Sequence, residues 1–375
     1  MKLPAAPAGG ASRRRSGRPE PPNGLLTGCS EQTIVTALKS QHAEEWSQSA
    51  LPDSPVTPQA LSPLLALLLP RAAQGIISGR KDSQPVWEEY VFADTVETAL
   101  GLLARHQGKA QLIAGGTDLF LQSQRGQCPA TVMVDITRIP GLGTISEKDG
   151  YIHIGALATH AQVAASPLIR EKAAVLAMAC SRVGGPQTRN AGTLVGNVVN
   201  AQPAADGATA LFALDAELEI AAADGTRWEP ISSLYRGVGK SAIDPRRDMV
   251  TQVRFRSPGA GWGSGYQRLA KRRALTLPVL VVAAALQIEG DQIRQARIAV
   301  GPVAPTPFRA SDAEGWLVGK APSDEVFTQA GQLAAAKAQP RESALRGSTE
   351  YRRAMVAVLV RRALAQALES CQGRR

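Results

Sequence analysis

The chain has 375 residues, 44% of them hydrophobic and 20% charged, with a formal net charge of +10. That length allows two or three domains with their own cores, and the ordinary globular composition excludes wholesale disorder. Aromatics make up only 4%, too few for the base-stacking platforms of single-strand nucleic-acid binders.

The longest aliphatic run near the start, Leu64 to Leu69, is enclosed by Pro63 and Pro70, whereas a membrane-spanning helix needs about 20 apolar residues. The first fifteen residues contain no apolar core of signal-peptide type. The expectation is a soluble, cytoplasmic protein with no membrane span. Cys29, Cys128, Cys180 and Cys371 show no C-x-x-C spacing, and the histidines form no H-E-x-x-H pair. The sequence therefore predicts no zinc site and no iron–sulfur cluster held by this chain alone.

Residues 1–85 are rich in Pro, Ala, Ser, Gly and Arg, with a short helical-looking piece at Glu31 to Trp46, and read as a largely disordered extension. Order is expected from Val86. Asp94-Thr95-Val96-Glu97 reads as a capping box with Asp94 as the cap. A helix follows, with Val96, Leu100 and Leu103 on one face, ending by Gly108. A strand over Gln111–Ala114 runs into Gly115-Gly116-Thr117-Asp118 and a short helix through Gln124. Val132, Val134 and Ile136 alternate as the next strand.

Three turn signals follow. Asp149-Gly150, Asp224-Gly225 and Glu289-Gly290-Asp291 each lie beside alternating or apolar runs and predict hairpins. Antiparallel sheet is thus expected within 140–256 and 262–303. A helix over Ala161–Cys180, capped by Thr159 and broken at Pro167, separates the first two hairpins. Ser323 caps a predicted helix from Asp324 to Lys337, and Ser348 caps another to Ser370. The fold class is α+β.

Two segments can carry chemistry. Ala114-Gly115-Gly116-Thr117-Asp118 sits at a strand end and opens a helix. Its glycines would let the backbone approach a phosphate; on its own the segment reads rather as a plain tight turn with Asp118 capping the helix, since that carboxylate would repel a phosphate at contact distance. The stretch Gly184–Asp206 holds four glycines and three asparagines with poor apolar periodicity. Loops this long inside a domain are functional or disordered, and Leu194-Val195 and Val198-Val199 pin this one to a core. A structural Ω-type loop is the alternative. Arg189, Arg268, Lys271, Arg272 and Arg273 are available as phosphate partners, and each alone reads as a surface charge. Cys180 and His160 read as packing residues.

At these two segments the sequence resembles the FAD-binding subunit of the molybdenum hydroxylases, the xanthine dehydrogenase and carbon monoxide dehydrogenase family. The likeness lies in Gln111–Leu119 (QLIAGGTDL) and Thr193–Asp206 (TLVGNVVNAQPAAD). It extends through Val132–Ile139, Ile154–His160, Tyr266–Leu280, Ala296–Arg309 and Gly347–Arg362. The resemblance implies a two-lobed FAD-binding module of the PCMH type, with lobes at 86–139 and 140–258. A C-terminal domain at 262–371, with a three-stranded antiparallel sheet and a helical bundle, would follow.

It further implies that Ile113, Ala114, Gly115, Gly116, Thr117, Asp118 and Leu119 line one side of non-covalent FAD. Thr193, Gly196, Asn197, Val199 and Asn200 would line the other. Asp206 would act as an acceptor near the flavin or its sugar chain. Val183, Gly184, Val250 and Arg268 would approach the cofactor. Val195 stands where the family commonly has a second glycine; were that φ positive, valine there would be strained.

The implied activity is electron transfer through FAD to NAD or another acceptor. The 2Fe–2S clusters and molybdopterin would belong to partner subunits. A self-contained FAD-dependent oxidase or reductase of the same fold group is the alternative. A basic binding protein without catalysis is supported only by the arginines.

Overall fold

The structure is a computed structural model that describes residues 87–373 apart from 345. The expected disordered extension, its helical-looking piece and the first cluster of arginines lie outside the described residues.

Strand β1 (Glu89–Phe92) leads into α1 (Val96–Arg105), β2 (Ala110–Ile113), α2 (Leu119–Gln124) and β3 (Val132–Asp135). These strands form a parallel sheet in the order β1-β3-β2. All four residues of β3 are buried, as a central strand covered on both faces requires. The first cap differs by one residue from the expectation. Thr95, not Asp94, is the N-cap, and its hydroxyl accepts from the Thr98 N–H at 3.1 Å. Adjacent Asp and Thr are both competent caps, and only one can adopt the extended cap geometry.

The second region opens with the hairpin β4 (Ile145–Lys148) and β5 (Tyr151–Gly155). Asp149 and Gly150 both have positive φ at its turn, the conformation that Asx-Gly sequences favour. The predicted helix over 161–180 is three helices: α3 (His160–Ala165), α4 (Pro167–Lys172) and α5 (Ala174–Ser181). Thr159 caps α3 in a reciprocal capping box with Gln162, and Ser166 caps α4 ahead of Pro167. Next come α6 (Pro186–Ala191), α7 (Leu194–Val199) and α8 (Asp206–Ala213).

The hairpin β6 (Glu217–Ala222) and β7 (Gly225–Pro230) follows, then α9 (Ile231–Leu234), the short pair β8 (Tyr235–Gly237) and β9 (Lys240–Ser241), and β10 (Met249–Arg256). The main sheet here has the order β4-β5-β10-β6-β7 and is antiparallel throughout.

The last region contains β11 (Trp262–Leu269), β12 (Leu280–Glu289), β13 (Gln292–Gly301) and β14 (Phe308–Arg309). The sheet thus has a short fourth strand beyond the three expected. Helices α10 (Ser311–Leu317), α11 (Asp324–Lys337) and α12 (Thr349–Gln372) cover one face of it. Ser323 and Ser348 cap α11 and α12. The opposite face sends Tyr266, Val281, Ala283 and Ala299 into the core built by β5, β6, β10, α5 and α8. The C-terminal sheet is therefore bolted onto the second region by shared burial, the dominant favourable contribution to such packing.

Candidate functional site

The two glycine-bearing coils meet. The first leaves the end of β2, where the Ile113 carbonyl accepts from the Ile136 N–H at 3.1 Å. The second runs from α6 through Gly192 and Thr193 into α7. A Cβ built on Gly115 would lie 1.9 Å from the Ala191 carbonyl oxygen and 3.0 Å from the Gly192 Cα. No side chain fits there, so the contact requires glycine. Gly116 has φ +65°, a left-handed conformation. Among the described residues, no acceptor takes the N–H groups of Gly115, Gly116 or Thr117.

A side-chain clasp joins the coils. Asn200 Nδ2 donates to Asp118 Oδ2 at 2.8 Å, and Gln122 Nε2 donates to Asn200 Oδ1 at 3.1 Å. Asp118 was expected to cap α2; its side chain makes no cap hydrogen bond and reaches across to Asn200 instead. Leu119 begins α2 and packs beside Ile113 and Met133.

The stretch read as one long loop contains α6 and α7. Thr193 caps α7, its hydroxyl accepting from the Gly196 N–H at 3.0 Å. Val195 lies buried inside α7 and is absent from the positive-φ residues, so valine carries no strain there. The coil is tied to the start of α3. The His160 N–H donates to the Gly192 carbonyl and the Leu194 N–H to the Ala158 carbonyl, both at 3.0 Å. Behind this seam the Asn197 Oδ1 and His160 Nδ1 atoms are buried without a hydrogen-bond partner among the described residues. Burial first, and then the Arg189 charge, pushes His160 down to about 4, so it is neutral at pH 7.

Val183 and Gly184 lie just before α6. Their carbonyls accept from Arg189 Nη1 at 3.0 and 3.4 Å, and Gly184 has φ +47°. The exposed segment around Leu275 comes close to this turn, since a Cβ on Gly185 would stand 3.0 Å from Leu275 Cδ2. Val250 is buried in β10, beside a bulge and under α7.

Asp206 and Arg268 find each other. Arg268 Nε donates to Asp206 Oδ1 at 2.7 Å, and the Tyr266 hydroxyl donates to the same oxygen at 2.5 Å. Arg268 Nη2 also reaches the Thr276 carbonyl at 2.6 Å. Burial pushes the Asp206 carboxyl up, while the Arg268 charge and both hydrogen bonds oppose that rise. Tyr266 is held well above the usual phenol range, by burial and then by Asp206. One carboxylate oxygen of Asp206 is thus spent inside the protein, linking α8 to β11. The sequence singled out Asp206 and Arg268 but not Tyr266. The i, i+2 spacing of Tyr266 and Arg268, which puts both on one strand face, was the available signal. Cys180 is a buried thiol pushed up by burial and then by Asp206, as a packing residue should be. Among the described residues, no group of three or more His, Cys, Asp or Glu side chains could hold a metal ion. No described helix is long and apolar enough to cross a membrane.

The cradle fits the pyrophosphate of a dinucleotide. Among the described residues the N–H groups of Gly115, Gly116 and Thr117 face no competing acceptor, and Gly116 carries no side chain to bar a close approach.

The chain is similar to known proteins along most of the described residues. The family described as FAD binding domain in molybdopterin dehydrogenase matches residues 83–256. The CO dehydrogenase flavoprotein C-terminal domain matches residues 266–367. The chain is 30% identical to the carbon monoxide dehydrogenase medium chain of Hydrogenophaga pseudoflava, over 76% of this chain and 98% of that one. It is 29% identical to the xanthine dehydrogenase FAD-binding subunit of Escherichia coli O157:H7, over 76% and 97%. A solved carbon monoxide dehydrogenase from Hydrogenophaga pseudoflava, lacking the Mo-pyranopterin moiety of its cofactor, superposes with a TM-score of 0.73 at 29% identity. That match covers 77% of this chain and 100% of the other. The chain belongs to the FAD-binding medium subunits of the molybdopterin dehydrogenase family, the flavoprotein components of molybdenum hydroxylase oxidoreductases.

Proposed function

We propose that this chain holds one non-covalent FAD between its two coils and passes electrons from partner subunits to NAD or another acceptor. The partners in this reading are an iron–sulfur subunit and a molybdopterin subunit. FAD, when bound, supplies the exchange between one-electron and two-electron carriers; the protein supplies position and polarity.

The observation that carries the reading is the backbone contact of Gly115 with Ala191, which brings the two coils together. Ile113, Ala114, Gly115, Gly116, Thr117, Asp118 and Leu119 form one wall. Thr193, Gly196, Asn197, Val199 and Asn200 form the other. Asn200 holds the walls in register by its bonds to Asp118 and Gln122. Val183 and Gly184 sit at the turn that Arg189 braces, and Val250 backs the second wall. Asp206 and Arg268 act in this reading chiefly by fixing β11 on α8, which sets where the segment from Leu269 to Val279 stands beside Gly184.

Purification under native conditions tests the assignment. Iron, molybdenum and flavin in one peak with two further chains support it. A flavin-loaded chain that oxidises a substrate alone would instead favour a self-contained oxidase or reductase. A colourless chain that cannot be loaded with FAD would remove both.

A further inference from the structure

The face of the C-terminal sheet that packs on the second region changes character along its length. At one end Tyr266, Val281, Ala283 and Ala299 are core. Toward the other end the register places Trp262 opposite Gln287 and Gln287 opposite Gln295. The neighbouring row on that face is Ser264, Ala285 and Arg297. The apolar stripe gives way to amides and a guanidinium, and the two walls part into a cleft of about 360 Å³. Its facing wall comes from Lys172 at the end of α4, Leu214 after α8, and Arg256 to Pro258 at the end of β10.

Among the described residues, Lys172, Arg256 and Arg297 line this cleft and no carboxylate does. Arg297 is half-buried. Its guanidinium lies 4.9 Å from the Trp262 ring centroid, and Nη1 reaches the Leu214 carbonyl at 3.5 Å. The nearby acids are already taken: Arg309 bonds Asp215 at 3.0 Å and Glu314 at 2.6 Å. Arg256 rests 5.1 Å from the Tyr151 ring centroid. Among the described residues, none of the three cations forms an ion pair. A half-buried guanidinium with no direct ion pair, whose nearest acids are shared with Arg309, is only partly neutralised, and low-dielectric walls concentrate the field of such charges on the space between them.

We propose that this cleft binds a small polyanion of the pyrophosphate class. Cations on both walls suit an anion with charge at two ends, and the Gln287 and Gln295 amides and the Ser257 hydroxyl add neutral donors. The site shares no residue with the two FAD coils.

The test uses the full chain saturated with FAD, so that the coils are occupied, and calorimetric titration with inorganic pyrophosphate at low salt. Expected is one saturable site per chain, with orthophosphate weaker by about tenfold or more, as charge at a single end predicts. Arg256→Gln combined with Arg297→Gln should weaken pyrophosphate by about tenfold or more. Arg294→Gln, an exposed charge on the same strand, should leave it unchanged, and bound FAD should be the same in all variants. No saturable heat, no loss in the double variant, or an equal loss in Arg294→Gln would overturn the proposal.

Discussion

Alanine at Gly115 puts the greatest strain on the smallest part of the structure. Its Cβ would stand 1.9 Å from the Ala191 oxygen and 2.7 Å from the Ala191 carbonyl carbon. Favourable carbon contacts lie near about 3.5 Å, so the coils must part by more than about 1 Å. Both obstructing atoms are backbone, and no rotamer change relieves them. Overpacking of this kind costs about 1–3 kcal/mol. If the cost falls on the FAD-bound state, the dissociation constant rises roughly five- to 150-fold. Titration of apo-protein into FAD, followed by flavin fluorescence, reads the affinity, and urea unfolding of the apo-protein reads the part that falls on the fold. An affinity within about twofold of the parent, together with an unmoved urea midpoint, would refute the proposed contact.

Three further outcomes are expected. Gly101→Ala, inside α1 where an added Cβ meets nothing within 4 Å, should stabilise the protein by about 1 kcal/mol in urea without changing FAD affinity. Asn200→Ala should weaken the clasp by about 0.5–1.5 kcal/mol, seen as faster FAD release in stopped flow; an unchanged rate would deny Asn200 this role. His160 is lowered from 6.5 to about 4. The folded state therefore binds fewer protons, and the stability this neutral histidine contributes is complete above pH 6.5. It is lost as pH falls from there to about 4, a loss of about 3 kcal/mol. The parent should show that slope in urea unfolding against pH and His160→Gln should not; equal slopes would contradict it.

Much of the architecture was legible because local chemistry decides it. Asp149-Gly150 and Glu289-Gly290 demand the positive φ values that close their hairpins. Thr159, Ser323 and Ser348 cap helices with their own hydroxyls. The two glycine-bearing coils that meet at Gly115 and Ala191 were marked by their glycines and by family likeness together. The short helices α6 and α7 were not, because six residues hardly complete two turns and show no apolar period; Pro186 after Gly185 and Thr193 before Leu194 were their only marks. The Asp118–Asn200 bond spans 82 positions and the Asp206–Arg268 bond 62. No spacing rule reaches that far, so Asp118 looked like a cap and Asp206 like a free acceptor.

Hydrogen–deuterium exchange of the full chain, with and without FAD, reads the two coils directly. FAD should slow exchange in 114–119 and in 193–199 together, and Asn200→Ala should reduce the protection of both. Protection of one segment alone, or of neither, would contradict a cofactor held between them.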